Sequence, residues 1–207
     1  MAKLCSIFDA QDRIDVWPIS LTVGPGGFYG SVKYYYGYNH THRSAISSAT
    51  QEDMIRYFLR RKKINCAVEI GTYNGTTTAL LAYYADKVVT IDKNNYIDKY
   101  PFWMDYGVHD KIEAYVVVDD NDKAELLAAI DFDFAFIDGD HSERGVRADF
   151  ECVKKCGRVL FHDYYEEGSK YDEGTAKRQG IVTVVNELPP GELTIARPFA
   201  YWERERE

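Results

Sequence analysis

No apolar run in this 207-residue sequence approaches the roughly 20 residues that a membrane-spanning helix needs. The opening stretch MAKLCSIFDAQDRID has no hydrophobic core of the signal-peptide kind, so the expected location is cytoplasmic. Basic charge is in short supply. The 25 Lys and Arg face 33 Asp and Glu, a formal net charge of −8, which works against a broad phosphate-binding surface and against nucleic acid as a partner. Cysteine is scarce as well, with four in the chain. Cys5, Cys66, Cys152 and Cys156 lack the paired spacing of a zinc site and read as reduced thiols in or near a core.

The sequence has enough apolar residues for one well-buried core. At 45% hydrophobic content, a chain of this length buries roughly 70% of its unfolded surface. From Cys66 onward, short β-rich runs alternate with helical ones, the pattern of a parallel α/β sheet. Strands are expected at 66–70, 87–92, 112–118, 132–138 and 158–163. Between them TTTALLAYYA, DKAELLAAI and SERGVRADFECVKKC carry apolar residues at helical spacing, and a short helix is expected within 93–110. A further helix, IVTVVNEL, follows a Gly- and acid-rich loop. The end, GELTIARPFAYWERERE, reads as an antiparallel hairpin broken at Arg197-Pro198.

Residues 1–65 form a separate cap segment in this reading, with 66–207 as the main domain. A helix begins near Ser48 or Thr50, and the cations Arg60 to Lys63 at its end complement the helix dipole. The segment GGFYGSVKYYYGYNH has two readings: stacking surface for an acceptor, or an interface in a homo-oligomer. His40 and His42 read as a solvated loop, His109 takes no role, and Trp103 reads as packing.

VEIGTYNGTTTALL, residues 68–81, holds the main chemical signal. A dinucleotide fingerprint requires G-x-G-x-x-G, and here Tyr73 stands where the second glycine belongs. A triphosphate loop requires Gly-Lys-Ser/Thr, and NGTTT has no lysine. What is present is Glu69-x-Gly71-x-x-x-Gly75 at the end of the first strand, with Asp92 closing the second.

That combination resembles the first motifs of the class I S-adenosylmethionine-dependent methyltransferases. The resemblance implies a Rossmann-like three-layer α/β/α sandwich whose seven-stranded, mostly parallel sheet has the order 3-2-1-4-5-7-6. It implies that Glu69, Gly71, Thr72, Tyr73 and Gly75 surround the methionine end of S-adenosylmethionine, with Glu69 holding its ammonium group. Asp92 would take the ribose hydroxyls, and Asp119, Asp120 and Asn121 in VVVDDND the adenine.

The ends of the fourth and fifth strands, IDGDHS and FHDY, resemble those of small-molecule O-methyltransferases of the macrocin and catechol type and of the proteins called cephalosporin hydroxylases. They crowd Asp138, Asp140, His141, His162 and Asp163 toward one mouth. In metal-dependent members the matching positions hold a divalent cation, which carries over to Asp138, His162 and Asp163. Carboxylates suit Mg2+, whereas a histidine ligand pulls toward manganese, iron or zinc. The general base of the family falls on His141, with Asp138 beside it as a catalytic or cofactor-binding carboxylate. Two alternatives stay open: a methyltransferase acting on RNA or protein, disfavoured by the acidic balance and the lack of an Asn-Pro-Pro-Tyr-type tetrapeptide, and a cofactor-binding protein without turnover.

Overall fold

The computed structural model describes residues 51–95, 99–164 and 175–204. The Tyr-rich segment, His40, His42, Cys5 and the acid-rich loop at 165–174 lie outside the described residues.

Helix α1 (Gln51–Leu59) leads into β1 (Ile64–Ile70), α2 (Thr76–Tyr84), β2 (Ala85–Asp92) and α3 (Lys99–Asp105). Then come β3 (Ile112–Val116), α4 (Asp120–Ala128), β4 (Phe134–Ile137) and α5 (Glu143–Val153). The chain continues through β5 (Arg158–Phe161), α6 (Thr175–Asn186), β6 (Leu193–Ala196) and β7 (Phe199–Glu203). Each expected element is present with shifted ends. The third and fifth strands end two residues earlier than expected, although the Val117 and His162 amides still donate to the Asp92 and Ile137 carbonyls of the neighbouring strands, and α6 begins six residues before the apolar stretch that signalled it.

The strands form one seven-stranded sheet in the order β3-β2-β1-β4-β5-β7-β6. The first five pair in parallel, and β7 runs antiparallel between β5 and β6. This is the expected Rossmann-like architecture.

Alternation along the strands separates two cores, one on each face. Phe134 and Phe136 of β4 join Ile55, Phe58, Leu80, Trp103 and Tyr201 on the face covered by α1 and α2. Ala135 and Ile137 point the other way, toward Val146, Phe150, Ile181 and Trp202 beneath α5 and α6. Helix α1, assigned to the cap segment by sequence, thus contributes Ile55, Phe58 and Leu59 to the core of the domain. The cations that end it are engaged as well: Arg61 and Lys62 pair with Glu203 and Lys63 with Asp86. Cys66 and Cys156 are buried and Cys152 half-buried, all three as thiols rather than disulfides, and burial pushes the Cys66 and Cys152 thiols up. No helix among the described residues is long and apolar enough to cross a membrane.

Candidate active site

Parallel strands end together, so the loops after β1, β2, β4 and β5 share one edge of the sheet. The loop after β1 is the glycine turn. Gly71 has φ +98° and Gly75 φ +77°, backbone that glycine adopts with least strain. At Gly71 the demand is steric too: a Cβ there would stand 2.1 Å from the Asp138 carbonyl oxygen. The absent side chain therefore lets the turn after β1 touch the loop after β4. At Gly75 a Cβ would lie 2.8 Å from Trp103 Nε1, and that nitrogen donates to the Gly75 carbonyl at 2.9 Å. Trp103 is 1% exposed, a packing residue beneath the turn.

Glu69 is fully buried. Its strand parity aims it at the α2 face, beside Thr90, its register partner on β2. Oε2 accepts from the Thr78 hydroxyl and, at 2.6 Å, from that of Thr90. Thr90 has one proton and gives it to Glu69, so the 2.7 Å contact between Thr90 and Thr72 runs from the Thr72 hydroxyl to Thr90. The carboxylate thus faces α2 rather than the mouth and reaches the turn through threonines. Sequence reading missed Thr78 and Thr90; the available signal was a polar residue inside the apolar run KVVTID.

Asp92 joins two loops. One oxygen accepts from the Tyr73 amide at 2.8 Å and the other from the Asn94 amide at 2.9 Å. Tyr73 holds φ +45°, and its side chain stands 69% exposed over the turn. After β3, Asp119 caps α4, accepting from the Asn121 and Asp122 amides, while Asp120 pairs with Lys123 at 2.9 Å. Asn121 sits in the first turn of α4. Of these three, Asp120 and Asn121 have side chains turned outward, and Asp119 is occupied by the helix.

The loops after β4 and β5 bring the expected polar residues together. His162 Nδ1 lies 3.0 Å and His141 Nε2 3.3 Å from the same oxygen of Asp138. His141 Nε2 is also 3.6 Å from Asp163 Oδ2. One ligand atom each from Asp138, His162 and Asp163 falls within a 4.8 Å cluster. Asp163 adopts φ +61°, a left-handed conformation that costs a non-glycine residue energy and that aspartate tolerates better than most. Burial pushes the Asp138 carboxyl up, but the charge of His162 and hydrogen bonds from both imidazoles outweigh it, bringing it down to about 2. The N-terminal cap of α5 is Ser142, whose side chain accepts from the Gly145 amide. His141 is left at the mouth, its side chain 28% exposed beside Asp138 at 29%. Asp140 is taken up by the Ser142 amide and hydroxyl.

Residues 68–164 match the sequence model of a family described as a methyltransferase domain. This segment is a methyltransferase domain. No curated protein matches the chain in sequence. Solved structures share the fold of this methyltransferase domain at low identity. Cofactor-bound Rv0187 from MTB is 21% identical, with a TM-score of 0.60 over 96% of this chain and 100% of that one. The O-methyltransferase TomG of Streptomyces achromogenes, involved in tomaymycin synthesis and solved with S-adenosylmethionine, is 16% identical, with a TM-score of 0.58 over 96% and 100%. An O-methyltransferase from Bacillus cereus, solved with S-adenosylhomocysteine, is 18% identical, with a TM-score of 0.56 over 99% and 100%.

Proposed function

We propose that this methyltransferase domain transfers the methyl group of S-adenosylmethionine to a hydroxyl of a small molecule, using a divalent cation. The observation that carries the reading is the convergence, at one sheet edge, of the Asp92-bound glycine turn with Asp138, His141, His162 and Asp163. The O-methyltransferases of Streptomyces achromogenes and Bacillus cereus, which share the fold, support the choice of a hydroxyl.

The residues present fit both groups. Gly71 and Gly75 give the turn its left-handed backbone, and Gly71 is only half-buried. Asp92 spends one hydrogen bond per oxygen on backbone amides, and a carboxylate has about four acceptor sites, so capacity remains for a ribose diol. Asp120 and Asn121 flank the adenine side. Asp138, His162 and Asp163 offer two carboxylates and an imidazole within reach of one ion, a donor set better matched to manganese, iron or zinc than to magnesium. S-adenosylmethionine supplies an electrophilic methyl group, and the cation supplies charge that acidifies a hydroxyl beside it.

His141 does the proton chemistry. Its ring accepts the proton of the acceptor hydroxyl at the nitrogen that does not donate to Asp138, and the charge the ring gains is offset by Asp138, 3.3 Å from Nε2, and Asp163 at 3.6 Å. Asp138 thereby serves twice, as cation ligand and as partner of the base. The test is release of S-adenosylhomocysteine from S-adenosylmethionine on a panel of catechols and sugars, with Mn2+ or Mg2+ added or chelated. Metal-dependent turnover of a hydroxylated compound supports the reading. Turnover only on RNA or protein, or full activity after metal removal, overturns it.

A further inference from the structure

Two lysines hold α4, one at each end, and they do different things. Lys155 reaches the C-terminal end, donating to the Leu127 and Ile130 carbonyls at 2.7 and 2.9 Å, an ordinary helix-end contact. Lys123 sits one turn from the N-terminus. Its ammonium donates to Asp149 on α5 at 2.6 Å and to Asp120 at 2.9 Å, with 13% of its side chain exposed. Asp149 is 1% exposed. Its second oxygen is buried with no hydrogen-bond partner among the described residues, and lies 3.3 Å from where a Cβ on Gly139 would be. Gly139 lies between Asp138 and Asp140, so this carboxylate backs directly against the loop that carries the candidate cation ligand and base.

A buried ion pair is a costly way to join two helices. Well-packed apolar residues of similar volume do it as well or better, so stability gives little reason for one here. What distinguishes the pair is its place: Lys123 also holds Asp120 in the first turn of α4, just past the loop after β3, and Asp149 backs against the loop after β4. We infer that Lys123 and Asp149 are positioning residues that set the gap between these loops and thereby the affinity for the adenosine part of the cofactor. The inference rests on the proposed function, in which residues 119–121 flank adenine.

Four proteins test it: the native chain, Lys123→Met, the double variant Lys123→Met with Asp149→Leu, and Lys155→Met. Calorimetric titration with S-adenosylhomocysteine gives Kd, and thermal denaturation gives Tm. Lys123→Met lowers Tm by leaving a buried carboxylate unpaired and also weakens binding. The double variant recovers most of the lost Tm, yet its Kd stays roughly 3- to 30-fold above native, the range of an indirect coupling. Lys155→Met lowers Tm but keeps Kd within about twofold, because it loosens the far end of the same helix. Should the double variant not fold, Asp149→Asn, isosteric and still able to accept from Lys123, shows a smaller rise in Kd. Native Kd in the double variant, or an equal rise in Lys155→Met, overturns the inference while leaving the cofactor site standing. No binding by the native chain overturns both.

Discussion

A Cβ on Gly71 would meet the carbonyl oxygen of Asp138 at 2.1 Å, so the glycine turn after β1 and the loop after β4 are built in contact. The glycine serves the packing of the protein itself as well as any approach by a ligand. Gly71→Ala combines this overlap with a φ of +98° and is expected to destabilise the fold by about 2–5 kcal/mol. Chemical denaturation measures it. A variant with native stability would mean that the two loops separate easily.

Asp92 is the cleaner probe of the cofactor. Asp92→Ala removes the acceptor for the Tyr73 and Asn94 amides together with the proposed ribose contact. S-adenosylhomocysteine affinity is expected to fall by about 1–3 kcal/mol in a protein that still folds. Asp92→Asn, which keeps one acceptor oxygen, should lose less. Equal affinities for both variants and the native chain would remove the ribose role.

Glu69 is expected to act on stability before it acts on binding. Glu69→Ala leaves the Thr78 and Thr90 hydroxyls without their acceptor in a fully buried position, at a cost of about 2–5 kcal/mol. Loss of cofactor affinity with Tm unchanged would instead point to direct contact with the ligand.

The cation site predicts a pH dependence with a definite sign. An imidazole ligates only when neutral, so Mn2+ affinity should fall as pH is lowered, when protons compete for His162. Asp163→Asn and His162→Ala should each weaken Mn2+ binding measured by titration, with S-adenosylhomocysteine binding largely retained. Metal affinity that rises toward acid pH would exclude His162 as a ligand.

His141→Ala should lower kcat on the order of 10²- to 10⁴-fold near neutral pH, the usual effect of losing a general base. Steady-state kinetics on any acceptor found by the panel decides it. An unchanged kcat assigns proton removal to another group.

Much of this site was legible in the sequence because it depends on local order. Alternating β and helical runs fix a parallel sheet, and in such a sheet strand ends share one edge, so Asp92, Asp138, His141, His162 and Asp163 had to come to the same region. The spacing Glu69-x-Gly71-x-x-x-Gly75 likewise separated this turn from dinucleotide and triphosphate loops. Only the tertiary structure decided which way each polar residue faces. Glu69 and Asp92 both lie near strand ends and on the same face of the sheet, yet Glu69 sits in the interior with Thr78 and Thr90 while Asp92 reaches the mouth, because Asp92 stands two residues beyond Thr90, the register partner of Glu69. Asp119 and Asp120 are adjacent, but the first is spent on a helix cap and the second on Lys123. The Lys123–Asp149 pair, 26 residues apart in the chain, left no pattern in the sequence, since it arises from the packing of two helices and not from the period of either.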